Sequence, residues 1–393
     1  MEQYLPNRRE LKIEQEIKEE EISKVLKRKR EESAPGPDGP TWALYSRYRD
    51  ILSPLLGKVY NTMLQEGQVP KQMKETNMKF LNKGNNKLTM SGWRPISLQN
   101  VDRKILTSIL ADRIKNHCKE EIHETQTGAT EGRCAQESVR ILVDTLELHE
   151  ERKDQLHIAA LDNSGAFDWV HRDTLYKILD YYGLTQISQW IRHLYTGTAI
   201  RYEGNGMTVG VPMEEGIHQG CPLSPILYVL YLNPLLIFLK NSTNITGYKM
   251  PNVTESLKLV AHMDDVTLLG QTKDDLERAI AVVHDYANRT GIKINHEKTQ
   301  LWNHGAEPIK VLGVWLGQDH VNKNYQEIYN KIKATLDRHK ARNLSLLGRA
   351  KIAQVLGYSK LYYRMRILGL EKTWEEAFNE LIWDFVWDRI ICR

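Results

Sequence analysis

Long hydrophobic runs are scarce in this chain of 393 residues. The longest, 225–239, is broken by Asn233 and Pro234. It falls short of the roughly 20 apolar residues that span a bilayer, so it reads as a buried core helix and membrane partners are excluded. Cysteine is equally scarce: Cys118, Cys134, Cys221 and Cys392 are scattered, with no Cys-x-x-Cys spacing. No histidine cluster completes a zinc site, and reduced thiols of an intracellular protein are expected. A signal peptide is also missing, so the sequons at Asn241, Asn244, Asn252, Asn288 and Asn343 read as chance and the chain as not secreted. No internal repeat is present. An excess of one charge is lacking too: 54 Lys plus Arg stand against 50 Asp plus Glu, net +4, too little to argue for nucleic acid by itself.

The charge is unevenly distributed, however. Residues 321–370 hold eleven bases (Lys323, Lys331, Lys333, Arg338, Lys340, Arg342, Arg349, Lys351, Lys360, Arg364 and Arg366) against only Glu327 and Asp337, a net +9. Such a segment can grip phosphates. A solvated helical face, the alternative, mixes its signs more evenly.

Apolar spacing predicts a surface helix within 9–32 (Ile13, Ile17, Ile22, Val25, Leu26), a stiff turn over 33–40 and a helix over 44–65. A strand over 77–81 and a polar loop over 82–92 follow, and Trp93-Arg94-Pro95-Ile96-Ser97-Leu98 opens a helix over 104–119. Further helices are predicted over 134–152, 173–182, 186–195 and 272–290. A hairpin over 198–212 turns on Gly204-Asn205-Gly206, and a glycine-containing loop spans 216–224. Strands are expected over 156–162, around 292–294 and over 310–316, with a basic helical remainder from Tyr325. Without βαβ regularity, this is an α+β chain with helices on one face of its sheet.

The densest signal is Ala261-His262-Met263-Asp264-Asp265-Val266-Thr267-Leu268-Leu269. Two adjacent carboxylates lie between apolar, β-prone runs. Side chains alternate faces in a strand, so both cannot point into one apolar core. An Asp-Asp pair alone is usually a solvated turn. Here a third acid, Asp162, ends another apolar strand 102 residues upstream of Asp264. If the two strands are neighbours, three carboxylates converge, an oxygen donor set suited to Mg2+, with Mn2+ as a substitute. Two such ions about 4 Å apart clamp the oxygens of an in-line displacement at phosphorus, as phosphoryl transfer to a 3′-hydroxyl requires.

The motifs around these acids carry a specific resemblance. Pro35-Gly36-Pro37-Asp38-Gly39, Trp93-Arg94-Pro95-Ile96-Ser97-Leu98, and Gln126-Thr127-Gly128 with Gly132-Arg133 precede Leu161-Asp162-Asn163-Ser164-Gly165-Ala166-Phe167-Asp168. After it come His218-Gln219-Gly220-Cys221-Pro222-Leu223-Ser224-Pro225, the Asp264-Asp265 stretch, Gly291-Ile292-Lys293-Ile294-Asn295 to Lys298-Thr299, and Val311-Leu312-Gly313-Val314. In this order, over about 33–317, they resemble the reverse transcriptases of LINE-type (non-LTR) retrotransposons. The Gln-Gly-Cys-Pro-Leu-Ser-Pro form of the loop sets aside a group II intron maturase.

The resemblance implies a right-hand polymerase fold with an antiparallel palm sheet. Residues 1–32 would be a charged helical extension, 33–152 the fingers, 153–317 the palm, and 318–393 a basic helical thumb with a truncated C-terminal segment. It implies an RNA-directed DNA polymerase working on an RNA template, a DNA primer and dNTPs. The metal ligands would be Asp162, Asp264, Asp265 and the backbone carbonyl of Asn163. Arg94 and Lys83 would meet the triphosphate, and Gly220 with Gln219 would approach nucleotide and template closely. Phe167 would exclude a 2′-hydroxyl, and Lys298 would support the palm or the leaving pyrophosphate. Asp168 and Asp173 suit helix capping better than metal binding.

Departures are His262 in place of an aromatic, Asn163 likewise, Gly165 where a Lys is common, Ala129-Thr130 after Gln-Thr-Gly, and Leu81-Asn82-Lys83 without its proline. They leave open a catalytically weak or inactive remnant that still binds nucleic acid. Leu381-Ile382-Trp383-Asp384-Phe385-Val386-Trp387 resembles the segment just after the thumb, and no endonuclease motif or zinc knuckle is found, so a polymerase core cut from a longer reading frame, or a gene fragment, is expected. The expected location is intracellular, nuclear and cytoplasmic as a ribonucleoprotein. Lys27-Arg28-Lys29-Arg30 is either a weak nuclear signal or a solvated helix end. Oligomeric state is left open.

Overall fold

The computed structural model describes residues 2–5, 16–28, 33–84, 88–89, 92–204, 207–251 and 254–387. The turn residues Asn205 and Gly206, the ends of the expected N-terminal helix (9–15 and 29–32, with Ile13, Lys29 and Arg30), Asn252 and Cys392 lie outside the described residues. Two compact units form. One comprises Met1–Gly132, Asn163–Ser242 and Ala281–Asn295, the other Arg133–Asp162, Thr243–Ile280 and His296–Arg393. Among the described residues there are ten strands: β1 (Glu75–Asn82), β2 (Trp93–Gln99), β3 (His157–Leu161), β4 (Ala199–Gly204), β5 (Met207–Pro212), β6 (Leu259–His262), β7 (Asp265–Gly270), β8 (Gln300–Asn303), β9 (Ile309–Val311) and β10 (Val314–Leu316).

The first unit holds the sheet β2-β1-β4-β5. The segment Trp93–Gln99 does not open a helix. It is strand β2, antiparallel to β1 with Phe80 opposite Pro95, and the helix begins only at Val101. Pro95 has no amide to donate and disfavours helix at the residue before it, whereas the pleat tolerates it on an edge strand. The expected hairpin forms as β4 and β5, and β4 also pairs in parallel with β1. The helix expected over 44–65 is two, Trp42–Arg47 and Arg49–Glu66, interrupted at Tyr48. The helix Glu19–Arg28 buries Ile22, Val25 and Leu26 against its neighbours, and Arg113 anchors it by pairing with Glu21 at 2.7 Å. The Pro35–Gly39 turn sits on Asn100: Asp38 N–H donates to its Oδ1 at 3.3 Å.

The apolar run becomes the helix Ser224–Asn241, buried on nearly every side. An all-round apolar helix belongs in a core. Asn233 within it is fully buried and fully used: it accepts from His123 N–H (2.8 Å) and donates to the Glu121 carbonyl (2.7 Å) and the Tyr182 hydroxyl (2.8 Å). A residue that interrupts hydrophobicity in the sequence thus ties three segments together in the fold.

The second unit holds the antiparallel sheet β6-β7-β3-β8. The helix Ala135–Arg152 packs Val139, Leu142, Val143 and Leu146 on it, with Ile158, Val260, Leu269 and Trp302 from the strands. The strand expected around 292–294 reduces to a single bridge, Asn163 to Ile294 within the first unit, and Gln300–Asn303 is the strand that completes the sheet. Helices His320–Lys340, Leu346–Ile352, Ser359–Leu368 and Lys372–Trp387 carry the basic segment around a second core of Tyr325, Ile328, Ile332, Leu336, Leu361, Phe378 and Phe385. Between Ile352 and Ser359, Ala353–Tyr358 is a wider helical turn. Glu327 is claimed inside the protein. Burial opposes its ionisation, but hydrogen bonds from Lys310 (2.8 Å), Lys331 and Trp315 Nε1 (2.6 Å) overcome this and set its carboxyl at about 2.

Asn233→Ala removes three hydrogen bonds from the interior and opens a cavity. Urea unfolding is expected to show a loss of about 3 kcal/mol, the upper range for a single polar truncation.

Candidate active site

Strand β3 runs through the middle of the second unit's sheet because its residues are apolar enough to be covered on both sides: Ile158 and Ala159 are fully buried. It pairs antiparallel to β7 with Leu161 opposite Val266. The residue just after β3 is Asp162 and the first of β7 is Asp265, so both acids lie at one end of the sheet. Strands β6 and β7 are joined by a two-residue turn, Met263-Asp264, closed by the His262–Asp265 pair. Met263 takes φ +56°, a left-handed conformation that costs an L residue about 1–2 kcal/mol. Asp162, Asp264 and Asp265, separate in sequence, are thereby gathered.

Their electrostatics follow from that placement. Burial, then the neighbouring Asp264 and Asp162, push the Asp265 carboxyl up to about 6. Burial lowers the His262 imidazole against the pull of Asp264, favouring the neutral ring. Lys298 Nζ stands 4.0 Å from Asp162 Oδ2, at the limit of an ion pair. Among the described residues no three His, Cys, Asp or Glu side chains already converge as a metal's ligands do. The donor set itself, three carboxylates with surplus negative charge, fits a hard divalent cation.

The first unit holds the other expected site residues. Phe167 packs on Tyr228, ring centroids 5.4 Å apart. Asn163 bridges to Ile294 and points its amide at the Tyr228 hydroxyl (3.5 Å). Gln219 and Gly220 lie over β2, where Ser97 N–H donates to the Gln219 carbonyl at 2.8 Å. Gly220 has φ +102°, and a Cβ there would meet the Ser97 carbonyl at 3.0 Å, so only glycine passes this close. Arg94 is exposed on β2, opposite Leu81, and the Lys83 N–H after β1 donates to the Gly92 carbonyl at 2.8 Å.

Two expectations change. Asp168 does not cap the next helix: His171 holds that position, and Asp168 instead lies 3.4 Å from the Gln219 amide nitrogen through both oxygens. Asp173 falls in the first turn of the helix Arg172–Tyr181, not at its cap. Gly165 explains its own departure from the motif, for at φ +62° any side chain is strained and a Cβ would press on Asp168 and Trp169 at 3.2 Å. Sequence reasoning overlooked Tyr228, hidden in the apolar run, and His218, which is buried, stacks on Tyr195 at 5.5 Å and lies 3.2 Å from the Ser97 hydroxyl. Burial, then Arg103 and Arg172, hold that imidazole well below its usual range.

A family model described as reverse transcriptase (RNA-dependent DNA polymerase) matches residues 69–316. The chain belongs to the reverse transcriptase family. Among similar proteins is the transposon TX1 uncharacterized 149 kDa protein of Xenopus laevis, 28% identical over 97% of this chain and 31% of that protein. Another is the retrovirus-related Pol polyprotein from type-2 retrotransposable element R2DM of Drosophila melanogaster, 28% identical over 68% of this chain and 24% of that protein. The chain therefore spans less than a third of either relative's length. These retrotransposon proteins agree with the LINE-type resemblance of the motifs. The structure of apo telomerase from Candida Tropicalis is similar at a TM-score of 0.50 and 13% identity, covering 86% of this reverse transcriptase and 67% of that chain, which supports the right-hand polymerase fold. Among the described residues no helix is long and apolar enough to cross a membrane.

Asp265→Asn tests the charge crowding. The raised carboxyl favours the folded state below about pH 4, and that contribution is lost as pH rises through 6. Denaturation in a chelator at pH 7.5 is expected to show the variant about 1 kcal/mol more stable than the unmutated chain, a figure discounted for solvent screening because Asp265, although its neighbours partly desolvate the carboxyl, keeps an exposed surface at the start of β7. The difference should vanish at pH 4.

Proposed function

We propose that this reverse transcriptase domain is an RNA-directed DNA polymerase, adding dNTPs to the 3′-hydroxyl of a DNA primer on an RNA template. The observation that carries the reading is the gathering of Asp162, Asp264 and Asp265 at one end of the β3–β7 pair, with Asp265 pushed up to about 6. Asp162, Asp264, Asp265 and the Asn163 carbonyl are the groups that hold divalent metal, two Mg2+ ions, with Mn2+ as a substitute. When bound, such ions neutralise charge on the reacting oxygens.

The chain's own residues do the rest. Arg94 carries a planar fork matched to phosphate oxygens, and Lys83 a point charge. Gly220 lets main chain lie against the nucleotide, Gln219 contacts it, and Phe167, braced by Tyr228, presses on the sugar. Lys298, already drawn to Asp162, is placed to meet negative charge leaving the site. On this reading 33–152 act as fingers, 153–317 as palm and 318–393 as the thumb, whose bases grip the template–primer duplex. The partners are RNA, DNA and dNTPs.

A second reading is a remnant that binds template without chemistry. It is favoured by His262 in place of an aromatic beside the acids.

Primer extension on an RNA template with Mg2+ separates the two. Extension by the 393-residue chain is expected, with Asp264→Ala slower by roughly a thousandfold, about 4 kcal/mol. No extension, with template binding intact, would leave the remnant. Phe167→Val is expected to admit ribonucleotides at least about tenfold more readily. Unchanged sugar selectivity would remove the ring from that role.

A further inference from the structure

The turn after Asn163 and the loop carrying Gln219 are bound together within the first unit. Gly216 N–H donates to the Val170 carbonyl (3.0 Å) and Ile217 N–H to the Phe167 carbonyl (2.8 Å). Gly216 has φ +77°, and a Cβ there would lie 2.7 Å from the Asp168 carbonyl oxygen, so the two segments touch as closely as main chain can. With Ser97 N–H on the Gln219 carbonyl, these bonds fix the loop's backbone. They do not fix the Gln219 side chain. That is set by Asp168, whose two carboxylate oxygens lie equally far, 3.4 Å, from the amide nitrogen.

Asp168 is itself held in place. Its N–H donates to the Gly165 carbonyl (2.8 Å), and its neighbour Trp169 is covered by the Lys293 ammonium, 3.0 Å from the ring centroid. Its carboxyl is part-buried, which raises its pKa, while the Gln219 hydrogen bond and the attraction of Lys83 work the other way. One carboxylate thus adjoins Phe167 in sequence, holds Gln219 and attracts Lys83, three residues assigned above to the nucleotide. A helix cap was the role the sequence suggested for it, and the fold places it elsewhere.

We propose that Asp168 is a positioning residue for nucleotide binding: it orients the Gln219 amide so that this group meets the nucleotide held against Phe167. This rests on the polymerase reading. Asp168 touches neither the nucleotide nor the metal. It acts on affinity and sugar choice, not on the chemical step.

The test compares the unmutated chain with Asp168→Ala and Asp168→Asn in steady-state extension on an RNA template, with dTTP and UTP as alternative nucleotides and a thermal melt of each protein. Asp168→Ala is expected to raise KM for dTTP about fivefold to tenfold, the worth of one charge-assisted hydrogen bond, with kcat within about twofold. Discrimination against UTP should narrow by a similar factor. Asp168→Asn keeps an acceptor for the Gln219 amide and should recover most of the loss, leaving about a twofold rise. Unchanged KM and discrimination in Asp168→Ala, or a lower melting temperature with both constants intact, overturns the proposal. Should Asp168→Ala not fold, Asp168→Asn decides: a dTTP KM equal to that of the unmutated chain overturns it. If the unmutated chain adds no nucleotide, the polymerase reading falls by itself. Equilibrium binding of a fluorescent deoxynucleotide to the chain–template complex then decides this inference, the Asp168→Ala affinity dropping by the same factor or the proposal failing.

Discussion

The antiparallel pairing of β3 with β7 is the constraint on which the acidic site depends. It is driven by burial of Ile158, Ala159, Leu268 and Leu269, none of which takes part in chemistry. Successive residues are buried on both strands, Ile158 with Ala159 and Leu268 with Leu269, so both faces of the pair are covered and apolar burial holds the two strands together. The register of that pairing sets Asp162 beside Asp265. The sheet thus spends apolar free energy to hold together charges that water would separate. The raised Asp265 carboxyl and the nearby Lys298 ammonium both reflect that compression.

Much of this was legible in the chain. The acids stood out because charge interrupted β-prone apolar runs, and the run around Asn233 and Pro234 read as a buried helix for the converse reason. What the sequence hid was long-range pairing. Trp93–Gln99 carries one proline and one β-branched residue, and only its partner β1 decides that it is a strand. Gln300–Asn303 has too few residues for any period to show, and it is a strand because β3 needs a second neighbour. Asp168 looked like a cap because an acid shortly before a helix usually is one. Its true partner lies 51 residues away, beyond what local spacing can report.

Two departures from the LINE motifs contrast when placed in the fold. Gly165 matches a backbone that turns left-handed there, so its lack of a side chain belongs to the local design. His262 has no such excuse: it sits half-buried on an ordinary strand, next to the acids, with its ring held neutral. The backbone thus accounts for Gly165, and His262 is the departure that adjoins the acids.

The wide turn Ala353–Tyr358 limits what the basic helices tolerate. A helix that takes up one extra residue keeps its axis but rotates everything beyond it, as a gear advanced by one tooth. Beyond this turn, Arg364 faces Glu327 and the Gly313 carbonyl, while Leu361 and Ile367 face inward. Removing a single residue between Ile352 and Ser359 would restore a regular spiral and carry those side chains onto the wrong face. The segment therefore behaves as a reading-frame lock in three dimensions: it accepts exchange of its residues more readily than any change in their number.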